Sequence, residues 1–210
     1  MQIKFAALDP SMSNLGIALG TYYLGEVAPN LGGGTTITDG YEVTGIQLIQ
    51  TFPSKEKKVR KSALDYERCR QLYIGMAAVL NDWMPTICFA EMPTGSQSAS
   101  GMKSYGISLM LLGTIGVPVI QVTPAEVKVA AVMSKNASKD TMIKWAMEKW
   151  PDLPWLKRTI KGETKRLNKN EHMADACAAV EAGVRTDQWN QLVSVLGSNM
   201  AGNGREVSDD

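Results

Sequence analysis

Two short apolar runs of the sequence each end in a carboxylate. Residues 3–8 lead into Asp9, and residues 86–90 lead into Glu91, with a proline close behind each acid. Short apolar runs bounded by turn signals are typical of buried β-strands. The sequence therefore predicts two acids, each placed where a buried strand ends.

A third acid and the only histidine lie on an alanine-rich segment, residues 170–184, that is predicted to be a helix. Successive residues of a helix advance by 100°, so His172 and Asp175 share one face with Glu171. Met173 begins an apolar stripe on a different face, which can pack on the sheet. The helix is therefore expected to carry His172 and Asp175 along the sheet surface towards the strand ends.

These four side chains, Asp9, Glu91, His172 and Asp175, suit a divalent cation. Mg²⁺ prefers oxygen ligands and keeps several waters, so carboxylates converging from separate elements make an appropriate site. Two such ions about 3.5 to 4 Å apart activate a water and stabilise the leaving oxygen of a phosphodiester. His172 adds a ligand or a proton carrier, because its ordinary pKa lies near neutrality. The expected chemistry is phosphodiester hydrolysis with Mg²⁺, or with Mn²⁺ in its place.

Each residue also has a purely structural interpretation. Asp9 followed by Pro10 is a common turn, Glu91 could cap a helix or lie on the surface, and His172 with Asp175 could be an exposed helical pair. These interpretations suffice for each residue alone. They leave unexplained why a buried strand ending in an acid occurs twice and is followed by a helix that presents another.

The elements that must position these residues begin as a meander and continue as alternating helices and strands. Strands are predicted over residues 3–8, 16–23, 41–52, 86–90 and 117–122, with a long flexible connection over residues 25–40. Helices are predicted over residues 62–81, 102–115, 124 onwards, 138–150 and 170–184. This order predicts an α/β fold, a mixed five-stranded sheet with helices on both faces.

The chain has 210 residues, 44% of them hydrophobic and 20% charged, which is typical of one globular domain. We expect that domain to cover residues 1–196 and the Gly-, Asn- and Ser-containing segment 197–210 to be a disordered tail. With neither a membrane span nor a signal sequence, the protein is expected in the cytoplasm. The three cysteines show no disulfide or zinc-site spacing.

The net charge of +1 does not by itself indicate a polyanion partner, but the basic residues are unevenly distributed. They crowd two segments, residues 55–70 and residues 157–169. Each segment is either a solvated surface or a phosphate-binding surface, and only a phosphate-handling site nearby favours the second interpretation.

Taken in order, the motifs resemble those of RuvC-type Holliday junction resolvases, members of the RNase H-like superfamily. The stretch from Ala7 to Gly16 resembles the opening motif with its metal-binding Asp, and Phe89 to Glu91 resembles the fourth-strand motif with its Glu. His172 to Ala176 resembles the closing helix motif, in which the earlier position is Asp or His. The match spans most of residues 1–184.

The resemblance implies an RNase H-like fold, a homodimer formed through the apolar helix at residues 102–115, and paired nicking of four-way DNA junctions. It implies that Asp9, Glu91, His172 and Asp175 bind the metal ions and that Lys139 takes part in catalysis near the scissile phosphate. The basic clusters would grip the DNA arms, and the source would be a bacterial cell or a phage-infected host. The DNA contacts implied are Lys103, Lys128, Lys139, Lys57, Lys58, Arg60 and Lys61.

The sequence departs from the family pattern at several places. Ser11 replaces the usual glycine of the opening motif, and Thr94 stands where bacterial members carry an aromatic residue that enters the junction centre. Residues 22–45 and 150–170 are longer than in the bacterial proteins. The departures concern the choice of branched DNA more than the cleavage chemistry.

Three other hypotheses remain open. An RNase H-like nuclease for flaps, forks or RNA–DNA hybrids would use the same acids, and a monomeric state would favour it. An ATP-binding domain of the actin or sugar-kinase type also opens with an Asp and a small-residue turn, but Gly32 to Gly34 lack the helix with Lys and Ser or Thr that a phosphate loop needs. A non-catalytic DNA-binding module would have no use for the intact acids.

Overall fold

The computed structural model describes residues 1–29, 35–54, 56, 58–95, 97–160 and 162–203. The strands of the main sheet are β1 (Gln2–Pro10), β2 (Asn14–Pro29), β3 (Thr35–Gln50), β4 (Ile87–Glu91) and β5 (Val119–Val122). A separate pair of strands consists of β6 (Lys157–Ile160) and β7 (Glu163–Arg166). The helices are α1 (Lys61–Trp83), α2 (Ala99–Gly113), α3 (Pro124–Val132), α4 (Lys139–Lys149), α5 (Asn170–Gly183) and α6 (Asp187–Asn203).

The main sheet has the strand order β3-β2-β1-β4-β5. The first three strands pair antiparallel as a meander, whereas β4 lies parallel to both β1 and β5. Helix α1 leads from the meander to β4, and α2 leads from β4 to β5. These helices provide the crossover connections that parallel strands require. The predicted mixed five-stranded α/β sheet is therefore confirmed.

Strand β1 is buried on both faces because it lies at the centre of the sheet. Its side chains alternate between two cores: Phe5 and Ala7 belong to one, and Ala6 and Leu8 to the other. The first core is closed by residues of α3, α4, α5 and α6, and the second by residues of α1 and α2. Helices on both faces, as predicted, give a three-layered molecule.

Helix α5 is the central helix of its layer. All residues from Met173 to Gly183 are buried except Asp175, so the single apolar stripe predicted for this helix was too narrow. Alanines account for much of its surface, and Gly183 lies so close to the ring of Phe89 that a Cβ at this position would collide with it. Small residues thus let α5 lie directly on the sheet while α3 and α4 cover it from outside.

One prediction about an irregular segment was wrong. Strands β2 and β3 continue through most of residues 25–40, where a flexible connection was expected, with Glu26 paired to Thr38 and Pro29 to Thr35. Threonine is enriched in strands, which favours this extension. Helix α6, which the buried Trp189 attaches to the core, runs to Asn203, and the disorder expected for residues 197–210 stays a prediction. Residues 30–34 and 204–210, including Gly32 to Gly34, lie outside the described residues.

None of the helices in the described part of the chain is long and apolar enough to cross a membrane.

Candidate active site

The ends of two neighbouring parallel strands carry Asp9 and Glu91. Leu8 pairs with Ala90 in the register of β1 and β4, so the two acids that follow them are neighbours at one edge of the sheet. Asp9 is only 9% exposed. The central position of both strands therefore places two carboxylates at the rim of the apolar interior.

A glycine brings the start of α5 to the same edge. Gly16 on β2 pairs with Asp9 on β1, and a Cβ on Gly16 would collide with the main-chain carbonyl of His172. Because glycine has no Cβ, the first turn of α5 packs directly against β2. This close contact sets His172 beside Asp9.

A chain of hydrogen bonds orients the imidazole of His172. Gln50 Nε2 donates to Asn14 Oδ1 over 3.2 Å, and the Asn14 amide nitrogen lies 3.4 Å from His172 Nε2. His172 Nδ1 lies 2.6 Å from Asp9 Oδ2. An amide N–H and a carboxylate oxygen are respectively a donor and an acceptor, so the neutral ring would carry its proton on Nδ1 and accept at Nε2.

Opposing influences act on the pKa of His172. Burial lowers it, whereas the hydrogen bond to Asp9 and the negative charges of Asp9, Glu171 and Asp175 raise it, and the net effect is an increase. Glu171 Oε1 lies 3.6 Å from His172 Nε2. The site therefore favours a protonated His172 more than water does.

Glu91 and Asp175 lie close enough to Asp9 to affect each other's ionisation. Burial, followed by the charges of Asp9 and Asp175, raises the pKa of Glu91 from 4.5 to about 9. Burial and the charge of Asp9 raise the pKa of Asp175 from 3.8 to about 7, although His172 and Lys128 oppose the increase. The structure thus brings Asp9, Glu91, His172 and Asp175 into one electrostatic neighbourhood that has too little positive charge.

The donor chemistry of this neighbourhood fits a hard divalent cation. Oxygen atoms predominate, and Asp175 Oδ1 is buried without a hydrogen-bond partner among the described residues. A buried oxygen without a partner costs free energy that a cation would recover. In the part of the chain that the structure describes, no three His, Cys, Asp or Glu side chains already have the spacing of a metal site. Side-chain rotations would therefore have to complete the ligand set.

Two lysines face the acidic centre from other helices. Lys128 of α3 lowers the pKa of both Glu91 and Asp175 through its charge. Lys139, at the start of α4, lies 2.9 Å from Glu171, and this hydrogen bond raises the pKa of Lys139 despite slight burial. Its side chain is nevertheless 79% exposed. Lys139 is therefore a charged group that can reach a ligand above the acids.

The turn after Asp9 is fastened to α2. Ser108 Oγ, which is buried, donates to the carbonyl oxygen of Pro10 over 3.1 Å, and Ser104 Oγ accepts from the main-chain N–H of Met12 at 3.1 Å. These bonds satisfy main-chain groups that the tight turn leaves without partners. They hold the end of β1, and hence Asp9, in a fixed position relative to α2.

No family model and no curated protein matches the sequence. Two solved structures of Thermus thermophilus RuvC are similar, each at 19% identity. The first has a TM-score of 0.50 and covers 87% of this chain and 92% of that chain. The second, in complex with a Holliday junction substrate, has a TM-score of 0.52 and covers 86% and 92%. The chain has the RuvC fold. The resemblance seen in the sequence motifs is thereby confirmed at the level of the fold.

On this RuvC fold, the basic residues expected to contact DNA have different surroundings. Lys103 lies 2.7 Å from Asp65, which compensates its charge. Exposed cations follow β3 near the start of α1, and Lys57 lies outside the described residues. The described members of this group are Lys58, Arg60 and Lys61. The segment begins at the same edge as the acids, since Thr51 N–H donates to the Ser13 carbonyl oxygen.

Sequence reasoning missed three polar residues of the site. Asn14 and Gln50 orient His172, and Glu171 connects His172 with Lys139. Asn14 lies in the opening motif and Glu171 on the predicted polar face of the helix, so the sequence could have indicated both. Gln50 is placed next to Asn14 only by the pairing of β2 with β3, which the sequence does not show.

Proposed function

We propose that the chain is a Mg²⁺-dependent endonuclease, with Mn²⁺ as a substitute, that hydrolyses phosphodiester bonds of four-way or related branched DNA by paired nicks. The observation that carries the proposal is the buried acidic centre at one edge of the sheet. Asp9 contacts His172 there at 2.6 Å, and the pKa values of Glu91 and Asp175 are both raised. The RuvC fold supports this assignment.

Asp9, Glu91, His172 and Asp175 would hold the metal ions. When bound, such ions supply Lewis-acid stabilisation of the phosphate and a more acidic water. The excess negative charge of the centre favours their binding, and the buried Asp175 Oδ1 offers an oxygen that has no other partner among the described residues.

The remaining side chains would position and neutralise the substrate. Gln50 holds Asn14 through a hydrogen bond of 3.2 Å, and the Asn14 amide, 3.4 Å from His172 Nε2, holds the ring until a metal ion takes the place of that amide. Lys128 and Lys139 present positive charge to the phosphate, and Lys139 exchanges its contact with Glu171 for one with the DNA. Charge placed around a phosphate before the reaction lowers its barrier without later rearrangement.

Paired nicks require two active sites related by symmetry, and α2 offers a surface for such a dimer. Met102 and Met110 of α2 are 47% and 39% exposed. Between α1 and α2 lies an open cavity of about 460 Å³, partly lined by Tyr66 and Ile107. An exposed apolar surface of this kind suits an isologous contact with a second copy.

Nucleases for flaps, forks or hybrids remain the main alternative, because the same acids would cleave them. A protein that is monomeric in solution and cuts only one strand would favour this alternative. The actin or sugar-kinase hypothesis has less support, since the similarity covers 92% of a RuvC chain. A DNA nuclease of this kind would act in the cytoplasm of a bacterium or of a phage-infected host.

The proposal is tested with labelled four-way junctions, forks and linear duplexes, with and without Mg²⁺. We expect the wild type to introduce paired nicks in the junction only with the metal. Asp9→Asn should abolish cutting yet bind the junction with nearly unchanged affinity, since it removes a metal ligand and leaves the basic surface intact. Asp82→Asn, an exposed acid on α1, is the matched control and should cut normally. Cutting by Asp9→Asn would disprove the assignment.

A further inference from the structure

We infer that the β6–β7 ribbon is a separate DNA-binding element that grips a duplex arm away from the scissile phosphate. The inference rests on the proposed function and deepens it. The resemblance implied only that the basic cluster at residues 157–169 grips a DNA arm, whereas the structure shows that residues 157–166 form a two-stranded ribbon and shows what holds it in place.

The ribbon is attached firmly to the element that carries the site. Asn170, the first residue of α5 and fully buried, accepts from Leu156 N–H at 2.8 Å and donates to the Leu156 carbonyl oxygen at 2.9 Å. Leu167 N–H donates to the same carbonyl oxygen at 3.0 Å. Leu156 and Leu167, the residues that flank the ribbon, are thus hydrogen-bonded to each other, and Leu156 is also bonded to Asn170, two positions before His172 in the chain.

One face of the ribbon is tied to the body of the protein through Arg166. Thr159 and Thr164 lie opposite each other, and their hydroxyl oxygens are 2.9 Å apart. On the same face Arg166 forms an ion pair with Asp140 of α4. Asp140 follows Lys139, so the ribbon is tied to the helix end that faces the acidic centre. The charge of Arg166 is thereby compensated within the protein, whereas its register partner Lys157 is exposed.

The other face carries a pair of like charges without such compensation. Arg158 and Lys165 are directly opposite in register, and both are exposed. Like charges in this position destabilise an antiparallel pair. Lys165 has a neighbour in Glu163 at 3.1 Å, but both side chains are about 70% exposed, so solvent screens the pair. Nothing described on the ribbon neutralises both cations.

The ribbon has no apolar face that folding would bury. Every residue of β6 is exposed, including Ile160 at 49% near the turn, where Gly162 has a φ of 83°. Two-stranded hairpins without a core are marginal on their own. A fold that clamps such a ribbon in place, with cations facing outwards, is suited to an extended polyanion.

Duplex DNA matches this surface in charge and shape. Phosphates recur along both sides of a groove, and the major groove of B-DNA accommodates a two-stranded ribbon. Arg158 and Lys165 would each contact a phosphate, and the exposed Ile160 would lie at the outer end of the contact. Because the clamp holds the ribbon close to α5, the arm it grips would be continuous with the DNA at the active site.

The test compares Arg158→Gln/Lys165→Gln with the wild type in chelator, using four-way junctions whose arms are about three helical turns long. We expect the variant to bind the junction roughly ten-fold more weakly. The slope of log affinity against log salt should also fall by about 2, one for each lost phosphate contact. Lys135→Gln/Lys144→Gln removes the same charge from exposed positions outside the ribbon and should bind like the wild type.

An unchanged affinity for the junction would overturn the inference, and so would an equal loss with the control pair. Circular dichroism and the conservative Arg158→Lys variant, which should retain most of the affinity, distinguish lost contacts from lost structure. If the wild type binds and cuts junctions but the ribbon variant behaves identically, the ribbon assignment fails and the proposed nuclease function stands. If the wild type neither binds nor cuts branched DNA, both fail.

Discussion

Replacing Glu91 by glutamine should stabilise the metal-free protein and abolish cleavage. The folded chain holds a proton on Glu91 up to about pH 9, whereas the unfolded chain releases it above pH 4.5. The contribution of Glu91 to the free energy of unfolding is therefore fully present below pH 4.5, and it is lost as the pH rises to about 9. Each pH unit within that window lowers the free energy of unfolding of the wild type by about 1.4 kcal/mol.

The size of the effect follows from this window. At pH 8 the loss from Glu91 amounts to about 5 kcal/mol, and at pH 6 to about 2 kcal/mol. Glutamine has no proton to release, but its buried amide also needs hydrogen-bond partners, which offsets part of the gain. We expect Glu91→Gln to raise the free energy of unfolding by about 2 to 3 kcal/mol at pH 8 and to leave it within about 1 kcal/mol of the wild type at pH 6. The corresponding increase in Tm at pH 8 is about 5 to 10 °C.

Urea unfolding in chelator at both pH values measures this difference. Glu148→Gln removes an acid whose side chain is 67% exposed, and it should leave the stability nearly unchanged. Mg²⁺ should raise the Tm of the wild type more than that of Glu91→Gln, because the variant has lost a ligand. A variant less stable than the wild type at pH 8, or a gain that is equal at both pH values, would refute the reasoning.

Two further predictions concern how the site is held. Gly16→Ala should destabilise the protein by about 1 to 3 kcal/mol in urea unfolding and impair cleavage, because the new Cβ would displace the main chain of His172. Gly45→Ala, whose Cβ meets only ordinary contacts, should be nearly neutral, and equal effects of the two changes would count against the close packing. Asn170→Ala should cost about 1 to 3 kcal/mol and expose the ribbon to limited proteolysis, because it leaves the main chain of Leu156 without two hydrogen bonds. An unchanged cleavage pattern would mean that the clamp does not hold the ribbon.

Much of the fold could be predicted because the main sheet has buried faces. Apolar runs ending at Asp9 and Glu91 indicated the central strands, and the helices predicted from residues 124 and 138 correspond to α3 and α4, which Thr123 and Ser138 cap. The same signals located the acids of the candidate site. The pattern of hydrophobic residues along a sequence reflects which side chains are buried, so buried elements such as these can be predicted from it.

Other features could not be predicted, for two reasons. An exposed element has no hydrophobic pattern, and a contact between residues far apart in the sequence leaves no local signal. The β6–β7 ribbon is exposed along nearly its whole length, so it has no alternation to detect. The hydrogen bond between Asn14 and His172 spans 158 positions of the chain. The buried Trp189 packs helix α6 on the core. Its ring centroid lies 4.7 Å from that of Tyr22 and 5.3 Å from that of Phe89. Such contacts exist only once the sheet has assembled.

Helix α5 joins the stability of the protein to the proposed chemistry. Its buried length fixes the rotation and height of the helix, and that position in turn decides where His172 and Asp175 stand relative to Asp9. Interiors packed to this density do not deform gradually, so a change inside α5 would shift both residues together. The ribbon and Lys139 lie outside this packed region and are exposed. Under the proposed function, substitutions there should alter DNA affinity while the arrangement of the acids persists, so binding and cleavage should be separable by mutation.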